Sequence, residues 1–74
     1  MTPIGVRLKQ FRRHRKLSSR ALAAVLGRSQ AQIMHWEQQR RHIRAEDMPT
    51  IAAAVNVPIL AFFDDAVAEE VLCA

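Results

Sequence analysis

The segment Leu17–Glu37, LSSRALAAVLGRSQAQIMHWE, contains the strongest local signals for structure in the chain. Ser18 and Ser29 each precede a stretch with helical spacing, and serine is a preferred residue at the N-terminal cap of a helix. Gly27 stands between the two stretches, where glycine can take the left-handed conformation that commonly ends a helix. Ala23 is small enough to let a second helix approach closely. The segment therefore predicts two short helices joined by a tight turn.

Apolar spacing predicts a further helix on the N-terminal side of this segment. It should begin near Thr2 and Pro3, with threonine as the cap and proline at the first helical position. Ile4, Leu8 and Phe11 recur on one face and form its buried stripe. The polar surface of this helix is expected to be filled by Arg7, Lys9, Arg12, Arg13, Arg15 and Lys16. In the two central helices the expected apolar faces consist of Leu22, Val25, Leu26, Ile33 and Trp36.

Three helical segments follow the basic loop, residues 40–44. The fourth helix should span about residues 47–55, because Pro49 fits a first helical turn but would break a helix interior. Pro58 can open a short fifth helix, and an acidic pair can cap a short sixth helix within residues 64–74. The apolar residues expected to be buried here are Met48, Ile51, Ala52, Val55, Phe62 and Phe63. Because no alternating β-branched run is present, the sequence predicts an all-α fold.

The charge is divided unevenly along the chain. All eleven Lys and Arg residues lie in residues 1–44, which carry a formal charge of +10, whereas residues 45–74 carry six acids and a charge of −6. Because guanidinium groups match phosphate oxygens, the arginine-rich half favours a nucleic acid as partner. A membrane surface fits less well, since the basic segment lacks a broad apolar face. The plain alternative is a solvated basic face that binds nothing.

The sequence contains no cluster of residues suited to catalysis or to metal binding. The three histidines, at positions 14, 35 and 42, are widely spaced, and the single cysteine lies near the C-terminus, so no metal site is expected. The adjacent acids at 64–65 and 69–70 suit helix caps or a solvated face better than an acid–base pair. No glycine-rich phosphate loop is present. We therefore predict no enzymatic activity and no cofactor.

Three features bear on the location of the protein. The longest apolar run, residues 57–63, is far shorter than the roughly 18 residues of a membrane-spanning helix. The N-terminus lacks the basic-then-apolar order of a signal peptide. One cysteine cannot form an internal disulfide, so a reducing compartment is the default. These features predict a cytoplasmic protein without a membrane partner.

The two central helices also carry residues suited to reading DNA. Two short helices at this spacing, the second one polar, are typical of a helix-turn-helix unit, whose second helix enters the major groove. Gln30 and Gln32 have side-chain amides that can pair with base edges, adenine above all. Ser29 caps the second helix and leaves its N-terminal amides free for a phosphate. Together with the basic charge, these residues favour double-stranded DNA as the partner.

The chain resembles the XRE/Cro-type helix-turn-helix family of bacterial and phage transcriptional regulators. The residues that carry the resemblance are Ile4, Gly5, Leu8, Leu17, Ser18, Leu22, Ala23, Leu26, Gly27, Ser29, Ile33, Trp36, Glu37, Ile51, Ala52, Val55, Val57, Phe62 and Phe63. The resemblance implies a five-helix, lambda-repressor-like domain over residues 1–63. Residues 64–74 would form a short acidic and apolar helical extension. The resemblance further implies a cytoplasmic, nucleoid-associated dimer on a two-fold operator.

The resemblance also implies roles for single residues. Arg12 and Glu37 match a structural ion pair of the family, and Glu37 is the only acid in residues 1–44 and so needs a partner. The base-reading positions are Gln30, Ala31, Gln32, Met34 and His35. The phosphate-contacting positions are Ser19, Arg20, Arg28, Ser29, Arg40, Arg41 and Arg44. Four residues depart from the family pattern. Ser19 replaces a frequent glutamine, Ile43 replaces a common proline, and Pro49 is unusual within the fourth helix. Gln39 replaces the usual glycine, so the third helix is expected to end differently or to run longer.

Four apolar residues near the C-terminus exceed what a five-helix core needs: Leu60, Val67, Val71 and Leu72. Either the last helix folds back to cover them, or they form a dimer interface. The function predicted overall is that of a transcriptional repressor, which binds an inverted-repeat DNA operator as a homodimer. An alternative is an antitoxin-type module whose acidic C-terminal half binds a toxin or another protein, and RNA is a weaker third partner.

Overall fold

The structure is a computed structural model that describes all residues, 1–74. It contains five α-helices and no strand, which confirms the all-α prediction with five helices. The helices are α1 (Ile4–His14), α2 (Ser19–Leu26), α3 (Gln30–Glu37), α4 (Met48–Ala54) and α5 (Asp65–Cys73). Two short 3₁₀ turns complete the fold, the first at Ala45–Asp47 and the second at Ile59–Phe62. The expected fifth helix is thus only the second 3₁₀ turn, and the expected sixth helix is α5.

The N-terminus of α1 differs from the prediction. Thr2 is not the cap, because Pro3 occupies the cap position in an extended conformation, with φ −57° and ψ 147°, and supplies no side-chain hydrogen bond. The helix begins one residue later, at Ile4. The backbone of Thr2 instead lies near the carboxylate of Asp65 and contributes to the lowered pKa of that group.

One hydrophobic core collects residues from every helix. Its fourteen buried apolar residues include the predicted Leu8, Leu22, Ile33 and Ile51. Ala68 of α5 is also fully buried, so the last helix packs onto the core. Among the largest members, the rings of Phe11 and Phe62 meet edge to face with their centroids 5.1 Å apart. The predicted face of α4 is confirmed, since Met48, Ile51, Ala52 and Val55 are all buried.

Three burial predictions were wrong. Val25 is 64% exposed and Phe63 is 46% exposed, whereas Arg7 is only 4% exposed. Phe63 follows the second 3₁₀ turn, and its neighbour Phe62 takes the inward position. In α2 the buried residues are Leu22 and Ala23, and the side chain of Val25 faces solvent. In each case the helical spacing alone could not show which neighbour would fill the available space.

Arg7 is buried because α5 covers it with acids. Its Nη2 donates a hydrogen bond of 2.8 Å to Oδ1 of Asp65, and its Nη1 donates one of 2.8 Å to Oε1 of Gln10. Glu69 lies further away, at 3.9 Å. The hydrogen bond from Arg7 holds the pKa of Asp65 below its usual range. Arg7 therefore fixes α5 to α1 by a polar contact within an otherwise apolar interface.

The end of α3 explains why Gln39 can replace a glycine. The N–H of Gln39 donates to the carbonyl of Trp36 at 3.2 Å, and the N–H of Arg40 donates to the carbonyl of His35 at 2.9 Å. This hydrogen-bond pair is a Schellman motif, which requires a left-handed residue between helix and loop. Gln39 supplies it with φ 62°. The helix therefore does not run longer, although a residue with a Cβ stands at the strained position.

Candidate DNA-binding surface

The predicted caps set the geometry of α2 and α3. The Ser18 hydroxyl accepts a hydrogen bond from the N–H of Ala21 at 3.0 Å, and the Ser29 hydroxyl accepts one from the N–H of Gln32 at 3.2 Å. Gly27 ends α2 in the left-handed region, with φ 66°. Serine hydroxyls satisfy N-terminal amides that no helical carbonyl can reach. The turn between the two helices is thus fixed by short-range contacts.

α3 has one buried and one accessible face. Ile33 and Trp36 lie in the core, which orients the helix on the body of the domain. The five predicted base-reading residues lie on the rest of its surface. Gln30, Ala31 and Met34 are exposed, whereas Gln32 and His35 are half-buried. The accessible face of α3 therefore presents amide, methyl, thioether and imidazole groups, which are side chains able to contact base edges.

A close backbone approach holds α3 against α1. Gly5 lies so near the end of α3 that a Cβ at this position would collide with the carbonyl oxygen of Trp36. A glycine is required here for space rather than for its backbone angles. Because Gly5 has no side chain, the first turn of α1 lies directly against the C-terminal end of α3.

Arg12 and Glu37 form a buried ion pair between α1 and α3. The Nε atom of Arg12 lies 2.7 Å from Oε2 of Glu37, and its Nη2 lies 2.9 Å from Oε1. Its remaining nitrogen, Nη1, donates to the carbonyl of Leu17 at 2.9 Å. The hydrogen bonds to Glu37 hold the pKa of Arg12 above its usual range. All three nitrogens of this guanidinium are therefore engaged within the protein.

A cleft of about 270 Å³ opens beside the ion pair, between α1, α2 and α3. Two predicted DNA contacts meet at this cleft, because Nε2 of Gln30 donates a 2.9 Å hydrogen bond to the hydroxyl of Ser19. Lys9 also lines the cleft and was not predicted as a site residue. A sequence signal for it existed, since Lys9 precedes Arg12 by three positions and so shares its side of the helix.

The basic side chains divide into those that bind an acceptor within the protein and those that do not. Four arginines pair with carboxylates: Arg7, Arg12, Arg28 and Arg44. Arg15 instead donates to the backbone carbonyls of Val55 and Asn56, at 3.1 and 2.7 Å. The other six cations, like Arg15, have no carboxylate within 4.0 Å: Lys9, Arg13, Lys16, Arg20, Arg40 and Arg41. Three of the predicted phosphate contacts, at positions 20, 40 and 41, are thus electrostatically free.

The pairs of Arg28 and Arg44 differ in strength. Arg28 lies 3.1 Å from Asp47, which is largely covered, and its guanidinium lies over the ring of Trp36. Arg44 lies 3.3 Å from Glu46, and both side chains are mostly in solvent. Exposed ion pairs contribute little and are screened by salt. A phosphate could therefore displace Glu46 easily, whereas Arg28 is held by two neighbours.

The candidate dimer residues are split by the fold. Val67, Val71 and Leu72 are half-buried, because α5 packs back against the core. Leu60 is exposed, and so are Ile59 and Phe63 beside it, neither of which was among the predicted dimer residues. The exposed apolar surface near the C-terminus therefore centres on the second 3₁₀ turn. None of the helices is both long and apolar enough to cross a lipid bilayer.

The comparisons agree with this geometry. A family model described as a helix-turn-helix domain matches residues 3–61, about four fifths of the chain. A search of curated proteins found no significant match. The matched region runs from the start of α1 into the second 3₁₀ turn and so contains the whole candidate surface. A domain of this kind indicates DNA binding and a role in transcription regulation. The chain belongs to the helix-turn-helix domain family, as its resemblance to XRE-type regulators predicts.

Proposed function

We propose that this protein is a transcriptional repressor that binds an inverted-repeat operator in double-stranded DNA as a homodimer. The observation that carries this proposal is the accessible face of α3, which presents Gln30 and Gln32 on a domain whose Arg20, Arg40 and Arg41 have no internal carboxylate partner. Amides on that face suit base edges, and free guanidinium groups suit phosphates. Occupying an operator excludes other proteins from the same DNA, which is why we infer repression. Such a protein would act in the cytoplasm, at a bacterial nucleoid or on phage DNA.

The residues divide into two roles at the DNA. Base reading is assigned to Gln30 and Gln32 first, then to His35, with methyl contacts to thymine from Ala31 or Met34. Phosphate contacts are assigned to Ser19, Arg20, Ser29, Arg40, Arg41 and Arg44, and Lys9 is added because it lines the same cleft as Gln30. Arg12 acts through Glu37, since its nitrogens are already engaged. Arg28 is left out of the phosphate contacts, because its guanidinium is held by Asp47 and Trp36.

The acidic half of the chain argues against a protein partner that is recognised by charge. Asp65 and Glu69 face Arg7, Asp47 faces Arg28, and Glu46 faces Arg44. Asp64 caps α5, since its carboxylate accepts hydrogen bonds from two N-terminal amides of that helix. Most of these acids thus have a partner within the chain, although only Asp47 is shielded from solvent. The antitoxin-type alternative therefore has less support than DNA binding.

The homodimer is proposed to form around Leu60. This residue is exposed, and Ile59 and Phe63 extend its apolar surface. Val67, Val71 and Leu72 remain at the edge of the same region as half-buried residues that a partner could cover further. A symmetric dimer would place its two α3 helices about one turn of DNA apart, roughly 34 Å.

Selection of bound duplexes from a random DNA pool, at near-physiological salt, tests this function. We expect enrichment of an inverted repeat with half-sites about 10 base pairs apart. The matched control is the Gln30→Ala variant, which should lose about 1–3 kcal/mol for the enriched site and less for random duplexes. Binding without enrichment would contradict base reading by α3. No binding at all would favour a protein partner instead.

A further inference from the structure

Arg28 lies in the turn between α2 and α3, and its guanidinium contacts two other parts of the fold. Its Nη2 atom is 3.1 Å from Oδ1 of Asp47, in the first 3₁₀ turn just before α4. Its Cζ atom is 5.8 Å from the ring centroid of Trp36, near the C-terminal end of α3. One side chain therefore connects the α2–α3 turn, the end of α3 and the entrance to α4.

The basic loop, residues 40–44, lies between these two contacts. It begins shortly after Trp36 and leads to Asp47. Arg28 therefore holds both ends of the segment that carries three of the proposed phosphate contacts. Clefts of about 220 and 160 Å³ flank the cluster, and both are lined by all three residues. Arg28 and Asp47 thus stand between two open clefts, at the edge of the packed core to which Trp36 belongs.

A guanidinium suits these two partners for a chemical reason. Its flat face can stack on an aromatic ring while its edge donates to a carboxylate, whereas an ammonium group is a compact point charge without that planar fork. The same contacts oppose a phosphate role, because that edge already faces a carboxylate. Arg40 and Arg41 differ in having no acid within 4.0 Å.

We propose that Arg28 is a positioning residue and not a phosphate contact, an inference that rests on the function proposed above. Through Trp36 and Asp47 it fixes the angle between α3 and the basic loop. The base-reading side chains and the phosphate-binding side chains then meet one duplex in register. If Arg28 were instead a phosphate contact, its guanidinium would have to move away from Asp47. The Asp47 carboxylate would then compete with DNA for Arg28.

The free protein offers a first test, because Trp36 is the only tryptophan in the chain. Its fluorescence emission and its quenching by acrylamide report on the cluster without DNA. We expect Arg28→Gln, Arg28→Lys and Asp47→Ala all to change the emission and to raise quenching. An Arg40→Gln control should leave both unchanged. Unchanged Trp36 signals in Arg28→Gln and Asp47→Ala would overturn the proposal.

The second test measures affinity against salt concentration for two duplexes, the one enriched by selection and a shuffled sequence of the same length. Loss of one phosphate contact reduces the slope of log affinity against log salt by about 0.9. We expect that change for Arg40→Gln and not for any variant of Arg28 or Asp47. Those variants should instead reduce the preference for the enriched duplex by about two- to fivefold, as expected for the loss of one partly exposed cation–aromatic contact.

The lysine and alanine variants separate the two arrangements. Positioning requires Arg28→Lys to behave like Arg28→Gln, because the planar guanidinium that reaches both Trp36 and Asp47 is lost although the charge remains. A phosphate contact requires Arg28→Lys to resemble the wild type, and Asp47→Ala to bind more tightly. Either of those results overturns the proposal, as does a slope reduced by about 0.9 in Arg28→Gln.

Two further outcomes separate this inference from a purely structural role of Arg28 and from the proposed function itself. A variant that lowers only the melting temperature, with unchanged preference where it is folded, would show a merely structural role and overturn the proposal. If Arg28→Gln does not fold, Asp47→Ala and Arg28→Lys carry the same comparison. A wild type that binds no duplex would overturn the proposed function and this inference together. A wild type that binds while Arg28→Gln loses one phosphate would overturn this inference alone.

Discussion

Two arginines of α1, five positions apart, anchor that helix to opposite neighbours in different ways. Arg12 makes two hydrogen bonds to Glu37 of α3, whose side chain is only 6% exposed. Arg7 makes one short contact to Asp65 of α5, whose side chain is 53% exposed. A covered, bidentate pair is geometrically rigid, whereas a pair with one partner in water is screened by salt. The helix proposed to read DNA is therefore held more firmly than the C-terminal helix.

The largest effect should come from removing the acid of the rigid pair. Glu37→Ala leaves the Arg12 guanidinium covered and without its counter-charge, which typically costs about 3–5 kcal/mol of stability. Urea unfolding followed by circular dichroism would measure the loss. A Glu70→Ala control, on exposed surface without an ion pair, should change stability by less than about 0.5 kcal/mol. A loss below about 1 kcal/mol in Glu37→Ala would mean that the pair does not fix α3.

The same α1–α3 contact can be disturbed without touching charge. In Gly5→Ala the new Cβ would collide with the carbonyl oxygen of Trp36, so α1 and α3 must move apart. Overpacking of this kind costs about 1–3 kcal/mol. Thermal unfolding gives the cost, and a Gly27→Ala variant is the comparison, because Gly27 has open space but a left-handed φ of 66°. A stabilised Gly5→Ala would contradict the close approach of the two helices.

The weaker pair should be visible as a pH dependence. The folded-state pKa of Asp65 is lowered by its hydrogen bond from Arg7, so its contribution is present above the unfolded pKa of about 3.9 and is lost as the pH falls through the folded pKa. We expect the free energy of unfolding to decrease in this acid range. Asp65→Asn should reduce that decrease. High salt should also reduce it in the wild type, because salt screens the partly exposed pair. Identical pH profiles for the variant and the wild type would refute the assignment to Asp65.

The smallest effect concerns the end of α3. Gln39 has φ 62°, and relieving a left-handed side chain with glycine recovers about 1–2 kcal/mol, less about 0.4–1 kcal/mol for the freer unfolded chain. Gln39→Gly should therefore stabilise the protein by about 0.5–1 kcal/mol. Its neighbour Gln38 has an ordinary φ of −85°, so Gln38→Gly should destabilise. A melting temperature lowered by Gln39→Gly would show that the side chain makes a contact of its own.

The local part of this fold could be predicted from the sequence. Ser18, Ser29 and Gly27 act within a few residues, so their roles as caps and turn were visible without tertiary contacts. The family resemblance added the pairing of Arg12 with Glu37. Thr2 was misjudged as a cap, because α1 begins one residue later than expected and Pro3 occupies the cap position.

The rest depended on long-range partners. Arg7 is buried only because Asp65, 58 positions later, returns to cover it. Arg28 is occupied only because Asp47 folds back onto the turn. For the candidate site, the sequence could therefore name the residues that line the surface. It could not show which of the cations are already engaged within the protein, since that depends on how distant acids are placed.

The hydrogen bond between Gln30 and Ser19 has a kinetic consequence. A free glutamine side chain samples many rotamers, and freezing one on binding opposes association. Here the amide is already held at 2.9 Å from a hydroxyl on the neighbouring helix. The side chain of Gln30, at the N-terminal end of α3, has therefore lost part of its conformational entropy before it meets a partner. If Gln30 reads bases as proposed, this arrangement shortens the search after first encounter and contributes to the rate of specific docking as well as to affinity.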